Sequence, residues 1–229
     1  MSTENAVEHP STEEHKDNTD PNAEGEPQEV VEEPKPINPF SYVPVMENLL
    51  PILGEKFVDS KNEPIKNIQD DVFSAKLIGL LFTSSWGSPC KIFEKELIDI
   101  YNEVNEGEKI FEIIEVSFDK KEEDFKKGIT SKPWKFVPFN DPIIKKLTEK
   151  YNVLTIPKFY PIDKTGEILS NNTRKELIEG GGNVCEDWIE YLEQETRKTM
   201  EEQGIKIEEN KEGEKNKEIS EENKEQLPQ

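Results

Sequence analysis

A chain of 229 residues is long enough for one domain with a substantial buried core. Only 32% of its residues are apolar, 34% are charged and the formal net charge is −21, so part of the chain cannot bury itself. The acidic balance, with no stripe of lysine or arginine, argues against a nucleic acid or an anionic membrane as the main partner.

Acidic residues and prolines are concentrated at the ends of the chain. Residues 1–39 hold eleven acidic side chains, two basic ones and six prolines, and residues 195–229 hold eleven acidic and seven basic ones. Such segments bury too little apolar surface to fold alone. We therefore predict a disordered, acidic, proline-rich tail over 1–43, a folded domain over 44–194 and a charged Glu/Lys/Asn-rich tail over 195–229. Two hypotheses stay open for the tails: solubilising linkers, or segments that fold on a partner.

No segment resembles a signal peptide or reaches the apolar length that a membrane span needs. A soluble cytoplasmic protein with no membrane contact is therefore expected, with a cytoskeletal or nuclear association left open.

Cysteine and histidine usage limits the chemistry of the domain. Cys90 and Cys185 are too far apart for a metal-binding pair and too few for a secreted disulfide framework. His9 and His15 both lie in the N-terminal tail, so the predicted domain has no histidine for a Ser-His or Cys-His mechanism or for a conventional zinc site. We expect no metal and no cofactor.

The predicted domain begins with a hairpin and a buried strand. Residues 56–58 and 63–66 flank a polar turn and predict a short hairpin. Residues 76–83 are almost all apolar, which is typical of a strand in the middle of a sheet that helices cover on both faces.

An amphipathic helix and a second strand follow. Apolar side chains three or four residues apart predict a helix over 89–106, with Ser88 as its cap and Pro89 as its first residue. The β-type run at 111–117 completes a strand, helix and strand in the order that builds a parallel crossover.

The rest of the domain alternates helices with short extended segments. The predictions are a charged, solvated helix over 119–127, an apolar connection over 134–139, a helix over 141–151, a hairpin of 158–162 with 167–169, and a last helix over 184–198. This order predicts an α/β fold with a central mixed sheet flanked by helices on both faces.

Several separated motifs resemble one family. The segment Leu81-Phe-Thr-Ser-Ser-Trp-Gly-Ser-Pro-Cys90 is similar to the active-site segment of thioredoxin-fold proteins, which reads Trp-Cys-x-x-Cys at the start of a helix. Residues 116–119, 132–139 and 151–158 are similar to the tryparedoxin and nucleoredoxin branch of that family. The resemblance extends from about residue 49 to residue 192 and implies a thioredoxin-like fold.

Gly87 occupies the place of the first cysteine of that motif. The resemblance implies that this cysteine attacks the substrate disulfide and that the second, here Cys90, resolves the mixed disulfide. Glycine has no sulfur, so the two-thiol cycle cannot be completed, and the strand around Leu81 supplies no carboxylate to accept a proton. We therefore predict a redox-degenerate protein that acts as a protein-binding adaptor or as a regulatory or structural subunit of a larger assembly.

The alternative hypothesis is an enzyme that works through Cys90 alone. A cysteine in the first turn of a helix is favoured as a thiolate, and the missing side chain at Gly87 would uncover its sulfur. The chain would then be a single-cysteine thiol-disulfide oxidoreductase or a peroxide-reactive enzyme. Cys185 is predicted to be a small core or cap residue, without a disulfide to Cys90.

The resemblance also implies a groove for an extended polypeptide. Pro157, after Ile156, would be the cis-proline that faces the motif and presents backbone to the bound chain. The residues predicted to line this groove are Trp86, Ser88, Pro89, Trp134, Ile156 and Pro157. For Trp86 and Trp134 a role in the core is the alternative.

Overall fold

A mixed sheet organises the part of the chain that the computed structural model describes, residues 45–204. Its strands are β1 (Leu77–Thr83), β2 (Phe111–Ser117), β3 (Lys135–Phe136) and β4 (Lys158–Ile162), in the order β3-β2-β1-β4. Strand β2 is parallel to both β1 and β3, whereas β4 is antiparallel to β1. All seven residues of β1 are buried, which confirms its predicted place in the middle of the sheet.

Helices cover both faces of this sheet, as predicted. They are α1 (Val45–Leu53), α2 (Ile68–Asp71), α3 (Ser88–Val104), α4 (Glu122–Ile129), α5 (Ile143–Lys150), α6 (Thr173–Gly180) and α7 (Asn183–Glu202). Leu49 of α1 and Leu147 of α5 belong to the core on one face. Phe93 of α3, Leu177 of α6 and Ile189 of α7 belong to the core on the other face. None of the helices within residues 45–204 is long and apolar enough to cross a membrane.

The strand register brings three loops to one end of the sheet. Phe82 pairs with Lys158 and Thr83 pairs with Ser117. The segments after β1 and after β2 therefore begin at this end of the sheet, and the segment before β4 ends there. The motif at 84–90 and the Ile156-Pro157 bond, which is cis, lie at this end of the sheet.

The start of α3 differs from the prediction. Gly87, not Ser88, is the N-cap residue, with extended backbone and no side-chain cap bond. Ser88 and Pro89 take the first helical positions, where the missing proline N–H costs nothing because no intrahelical acceptor exists there. The predicted inward face is confirmed for Phe93, Leu97 and Tyr101, which are buried.

Other boundaries also shift, and each shift has a local cause. Helix α4 starts at Glu122 instead of near Asp119, because Asp119 folds back onto the motif loop. The predicted connection over 134–139 contains strand β3, since its backbone pairs with β2. The two predicted hairpins are present but short. The Ile65 N–H donates to the Phe57 carbonyl and the Leu169 N–H to the Pro161 carbonyl, beside the bridges of Val58 with Pro64 and Ile162 with Ile168.

The last helix is longer than predicted. Helix α7 continues to Glu202, and Thr196 and Met200 in its last turns are buried. It therefore runs past the domain boundary that charge alone placed at residue 194. The predicted tail over 1–43 and the part of the C-terminal tail beyond residue 204 lie outside the described residues.

Candidate functional site

Cys90 lies at the base of the motif, in the first turn of α3. Its side chain is only 1% exposed, and its Sγ lies 3.8 Å from the Ser84 Oγ. A Cβ placed on Gly87 would lie 2.9 Å from the Cys90 Sγ. The idea that glycine uncovers the sulfur is therefore wrong, because Cys90 is closed to solvent even without a side chain at residue 87.

No other sulfur can complete a dithiol site within residues 45–204. Cys185 is buried in α7, and both cysteines are free. Burial, with Glu103 and Glu186 nearby, raises the pKa of the Cys185 thiol to about 12. A buried thiol of that kind is inert at neutral pH, which fits its predicted role as a core residue.

The two candidate tryptophans have different places. Trp86 is 63% exposed on the motif loop, and Ser88 and Pro89 beside it are also exposed. Trp134 is only 1% exposed, and its Nε1–H donates to the Glu115 Oε2 at 2.8 Å. The prediction that Trp134 lines the groove is therefore wrong, and the alternative, a place in the core, is confirmed, because a buried acceptor holds its indole there.

A cavity of about 470 Å³ lies beside the cis-proline. Pro157 and Lys158 line one side of it, and Arg174, Lys175 and Ile178 of α6 line the other. The lining contains three cationic side chains and one acidic one, Glu179. We call this cavity the cationic groove. Residues 86–89 do not line it, although the register places them at the same end of the sheet.

Asp119 anchors the motif loop, which sequence reasoning missed. Its Oδ1 accepts hydrogen bonds from the Ser85 N–H at 3.1 Å and the Ser85 Oγ–H at 2.8 Å, and its Oδ2 accepts one from the Ser117 Oγ–H at 2.9 Å. The available signal was an aspartate two residues beyond a buried strand, at the sheet end where the motif also begins.

A buried cluster of charged side chains, Glu94, Lys132 and Glu115, was also missed. The Lys132 Nζ lies 2.9 Å from both Glu115 carboxylate oxygens and 3.1 Å from the Glu94 Oε2. All three residues are less than 9% exposed. We call them the Glu94–Lys132–Glu115 cluster. The available signal was the pair of glutamates, Glu112 and Glu115, within the buried strand β2.

The cluster is completed by neutral donors and has one strongly shifted carboxyl group. The Thr83 Oγ1–H donates to the Glu94 Oε1 at 2.5 Å. Burial raises the pKa of Glu115 to about 7 against the opposing effect of Lys132, while Glu94 raises it further. On the same strand, burial also raises the pKa of Glu112, which contacts Lys109 and the Tyr101 hydroxyl.

No group of three or more His, Cys, Asp or Glu side chains within residues 45–204 is arranged to hold a metal ion. What the site offers chemically is one buried thiol, an exposed aromatic side chain and a groove with positive charge.

Comparisons with known proteins agree on one family. A thioredoxin-like family profile matches residues 75–168. Nucleoredoxin of Xenopus laevis is 29% identical over 111 residues, which are 48% of this chain and 27% of the relative. Probable nucleoredoxin 3 of Arabidopsis thaliana is 42% identical over 88 residues, which are 38% of this chain and 22% of the relative. The chain thus spans about a quarter of the length of the curated relatives it matches.

Solved structures of a thioredoxin and a tryparedoxin match over nearly the whole length of their chains. Thioredoxin of Wuchereria bancrofti has 27% sequence identity and a TM-score of 0.51, covering 61% of this chain and 97% of that protein. Tryparedoxin I of Crithidia fasciculata has 26% identity and a TM-score of 0.52, covering 59% of this chain and 93% of that protein. The chain therefore has a thioredoxin-like fold and is similar to the branch of that fold that contains the nucleoredoxins and tryparedoxins.

Proposed function

We propose that this protein is a redox-degenerate member of its branch that works as a protein-binding adaptor or as a regulatory or structural subunit. The observation that carries the proposal is the combination at the motif of a glycine at position 87 with a Cys90 that is 1% exposed. Disulfide exchange needs a thiolate that a substrate sulfur can reach, and neither cysteine meets that requirement.

The same end of the sheet keeps features of a binding surface. Trp86 is 63% exposed and Leu154, just before the cis-proline, is 83% exposed. Large exposed apolar side chains close to a groove are typical anchors for a partner chain, because their burial on binding releases ordered water. We call the surface formed by Trp86, Leu154, Pro157 and the cationic groove the binding face.

Charge favours one class of partner segment. The cationic groove carries Lys158, Arg174 and Lys175 on a chain whose net charge is −21. Such a local reversal of sign attracts an acidic segment and repels a basic one. We therefore infer an extended partner segment with carboxylate side chains next to an apolar anchor.

The proposed function is tested by changing the binding face and the Cys90 thiol in separate variants. Tagged full-length protein is used to isolate partners from its source cells in four forms: wild type, Cys90→Ser, Trp86→Ala and the control Tyr191→Ala, which removes another exposed aromatic side chain, from α7. We expect Cys90→Ser and Tyr191→Ala to retain the wild-type partners. Trp86→Ala should weaken binding by about tenfold or more, as loss of a central aromatic anchor does.

The opposite pattern would contradict the proposal. If folded Cys90→Ser lost the partners or the cellular function while Trp86→Ala kept them, the single-cysteine enzyme would be the correct hypothesis. Circular dichroism of each variant shows that the fold is retained.

A further inference from the structure

The Glu94–Lys132–Glu115 cluster has an unbalanced charge. Two carboxylates share one ammonium group, with the Lys132 Nζ at 3.1 Å from the Glu94 Oε2 and 2.9 Å from the Glu115 Oε2. When all three groups are ionised, one negative charge remains without a counter-charge in a site closed to water. That is costly, and a proton on one carboxylate removes the cost. The cluster is therefore neutral only when it holds one proton.

The groups that act on Glu115 are few. Glu94 comes from α3, and Lys132 and the Trp134 Nε1–H come from the segment before β3. Strand β1 contributes no charged side chain, only the Thr83 hydroxyl on Glu94. With these neighbours, burial raises the pKa of Glu115 to about 7. The proton is consequently gained and lost in the physiological range.

The cluster is mechanically connected to the motif loop. The Lys132 N–H donates to the Ile129 carbonyl at 3.2 Å, in the turn that ends α4. One residue earlier, Gly128 packs on the motif loop so closely that a Cβ there would lie 3.0 Å from the Ser85 Cβ. Ser85 directly precedes Trp86. The turn at Lys132 is therefore joined to the segment that carries the exposed tryptophan by one hydrogen bond and one close contact.

We propose that the Glu94–Lys132–Glu115 cluster is a proton-operated clamp on the Trp86 loop, and so regulates the binding face on which the proposed function rests. With one proton bound, the neutral cluster holds the turn at Lys132 against α3 and β2. When the proton leaves, the two carboxylates repel each other and the excess charge favours opening of the cluster to water. The turn then loosens, and the loop that carries Trp86 changes its position.

The structure supplies its own reporters for a test by NMR. The chain has three tryptophans, whose indole N–H signals are separate probes: Trp134 in the cluster, Trp86 on the loop and Trp188 on α7. We expect the Trp134 signal of the full-length chain to titrate with a midpoint near pH 7, and the Trp86 signal to follow with the same midpoint. Trp188 should stay flat. Glu115→Gln should remove both inflections, whereas the matched control Glu112→Gln should keep them.

Two results would overturn the proposal. A Trp134 signal that is flat from about pH 5 to pH 8.5 would show that the cluster binds no proton there, and a titrating Trp134 with an unchanged Trp86 would show that no clamp exists. The ¹³C shift of the Glu115 carboxyl group, measured in the wild-type chain, keeps the test valid if Glu115→Gln does not fold. The titration needs no partner, so its failure leaves the proposed function standing. Conversely, intact partner binding by Trp86→Ala would remove the proposed function without affecting the titration.

Discussion

Gly87→Cys is expected to form a disulfide with Cys90 and to give the protein a dithiol activity that the wild type lacks. A Cβ at residue 87 would lie 3.5 Å from the Cys90 Cβ, at the short end of the range of about 3.5–4.5 Å that disulfides show. The same Cβ would lie 2.9 Å from the Cys90 Sγ, which is too close for an unbonded contact and is relieved when the sulfurs bond. The backbone at Gly87 is extended, with φ −81°, so a side chain there causes no backbone strain.

Intact-mass measurement after mild oxidation checks the first part. The variant should lose two hydrogens, and its Cys90 should resist alkylation after denaturation without reductant, a condition in which the wild-type Cys90 reacts. Insulin reduction with dithiothreitol as electron donor checks the second part, and only Gly87→Cys should exceed the rate of dithiothreitol alone. Ser88→Cys is the matched control, because it adds an exposed thiol two residues from Cys90, a spacing that does not face it on a helix. Free thiols at both residue 87 and residue 90 in a natively folded, oxidised Gly87→Cys would contradict the geometry.

Lys132→Met is expected to be strongly destabilising. It leaves Glu94 and Glu115 buried without their shared cation, and breaking a buried pair in this way costs about 3–5 kcal/mol. The control is Lys126→Met, which removes an exposed i,i+4 pair with Glu122. Such a pair contributes about 0.3–0.5 kcal/mol. Urea denaturation of the full-length chain measures both free energies of unfolding.

The pH dependence of the stability lost in Lys132→Met tests whether the buried carboxylates cause that loss. The pKa of Glu115 is raised from its ordinary 4.5 to about 7, so between these values the folded state holds a proton that the unfolded state has released. The stability contributed by this group is therefore complete below about pH 4.5 and is lost as the pH rises through 7. Because Lys132 opposes the shift, its removal should raise the pKa of Glu115 further. The fall in stability should then extend to higher pH, and the deficit should be larger at pH 8 than at pH 5. Equal, pH-independent losses for Lys132→Met and Lys126→Met would contradict this account.

The sequence predicts the scaffold well because the scaffold depends on local patterns. The apolar run of β1 needs two covered faces, and a buried strand in the middle of the sheet is what the structure has. The spacing of Phe93, Leu97 and Tyr101 correctly orients α3. The glycine at the motif and the position of the cis bond at Pro157 can also be predicted from the sequence, since each depends on residues adjacent in the chain.

The polar interior could not be predicted in this way. Glu115 and Lys132 are 17 residues apart in the chain, and charged residues are normally assigned to the surface. Their burial depends on contacts between different helices and strands, and the spacing of apolar residues along the chain does not predict such contacts. Trp134 was misplaced for the same reason, because its acceptor is a carboxylate on a neighbouring strand. The extension of α7 was not predicted because Thr196 and Met200 are buried within a segment whose composition is highly charged.

The central claim is that Cys90 is a buried remnant, and native-state alkylation tests it most directly. Full-length protein is treated with iodoacetamide over a range of pH, and labelling at Cys90 and Cys185 is separated by peptide mass. The account predicts that neither cysteine reacts in the native state on the timescale in which both react fully in denaturant, because both side chains are closed to solvent. Rapid labelling of Cys90 alone in the native protein at neutral pH would contradict it, and would show that the thiol is exposed and available for chemistry.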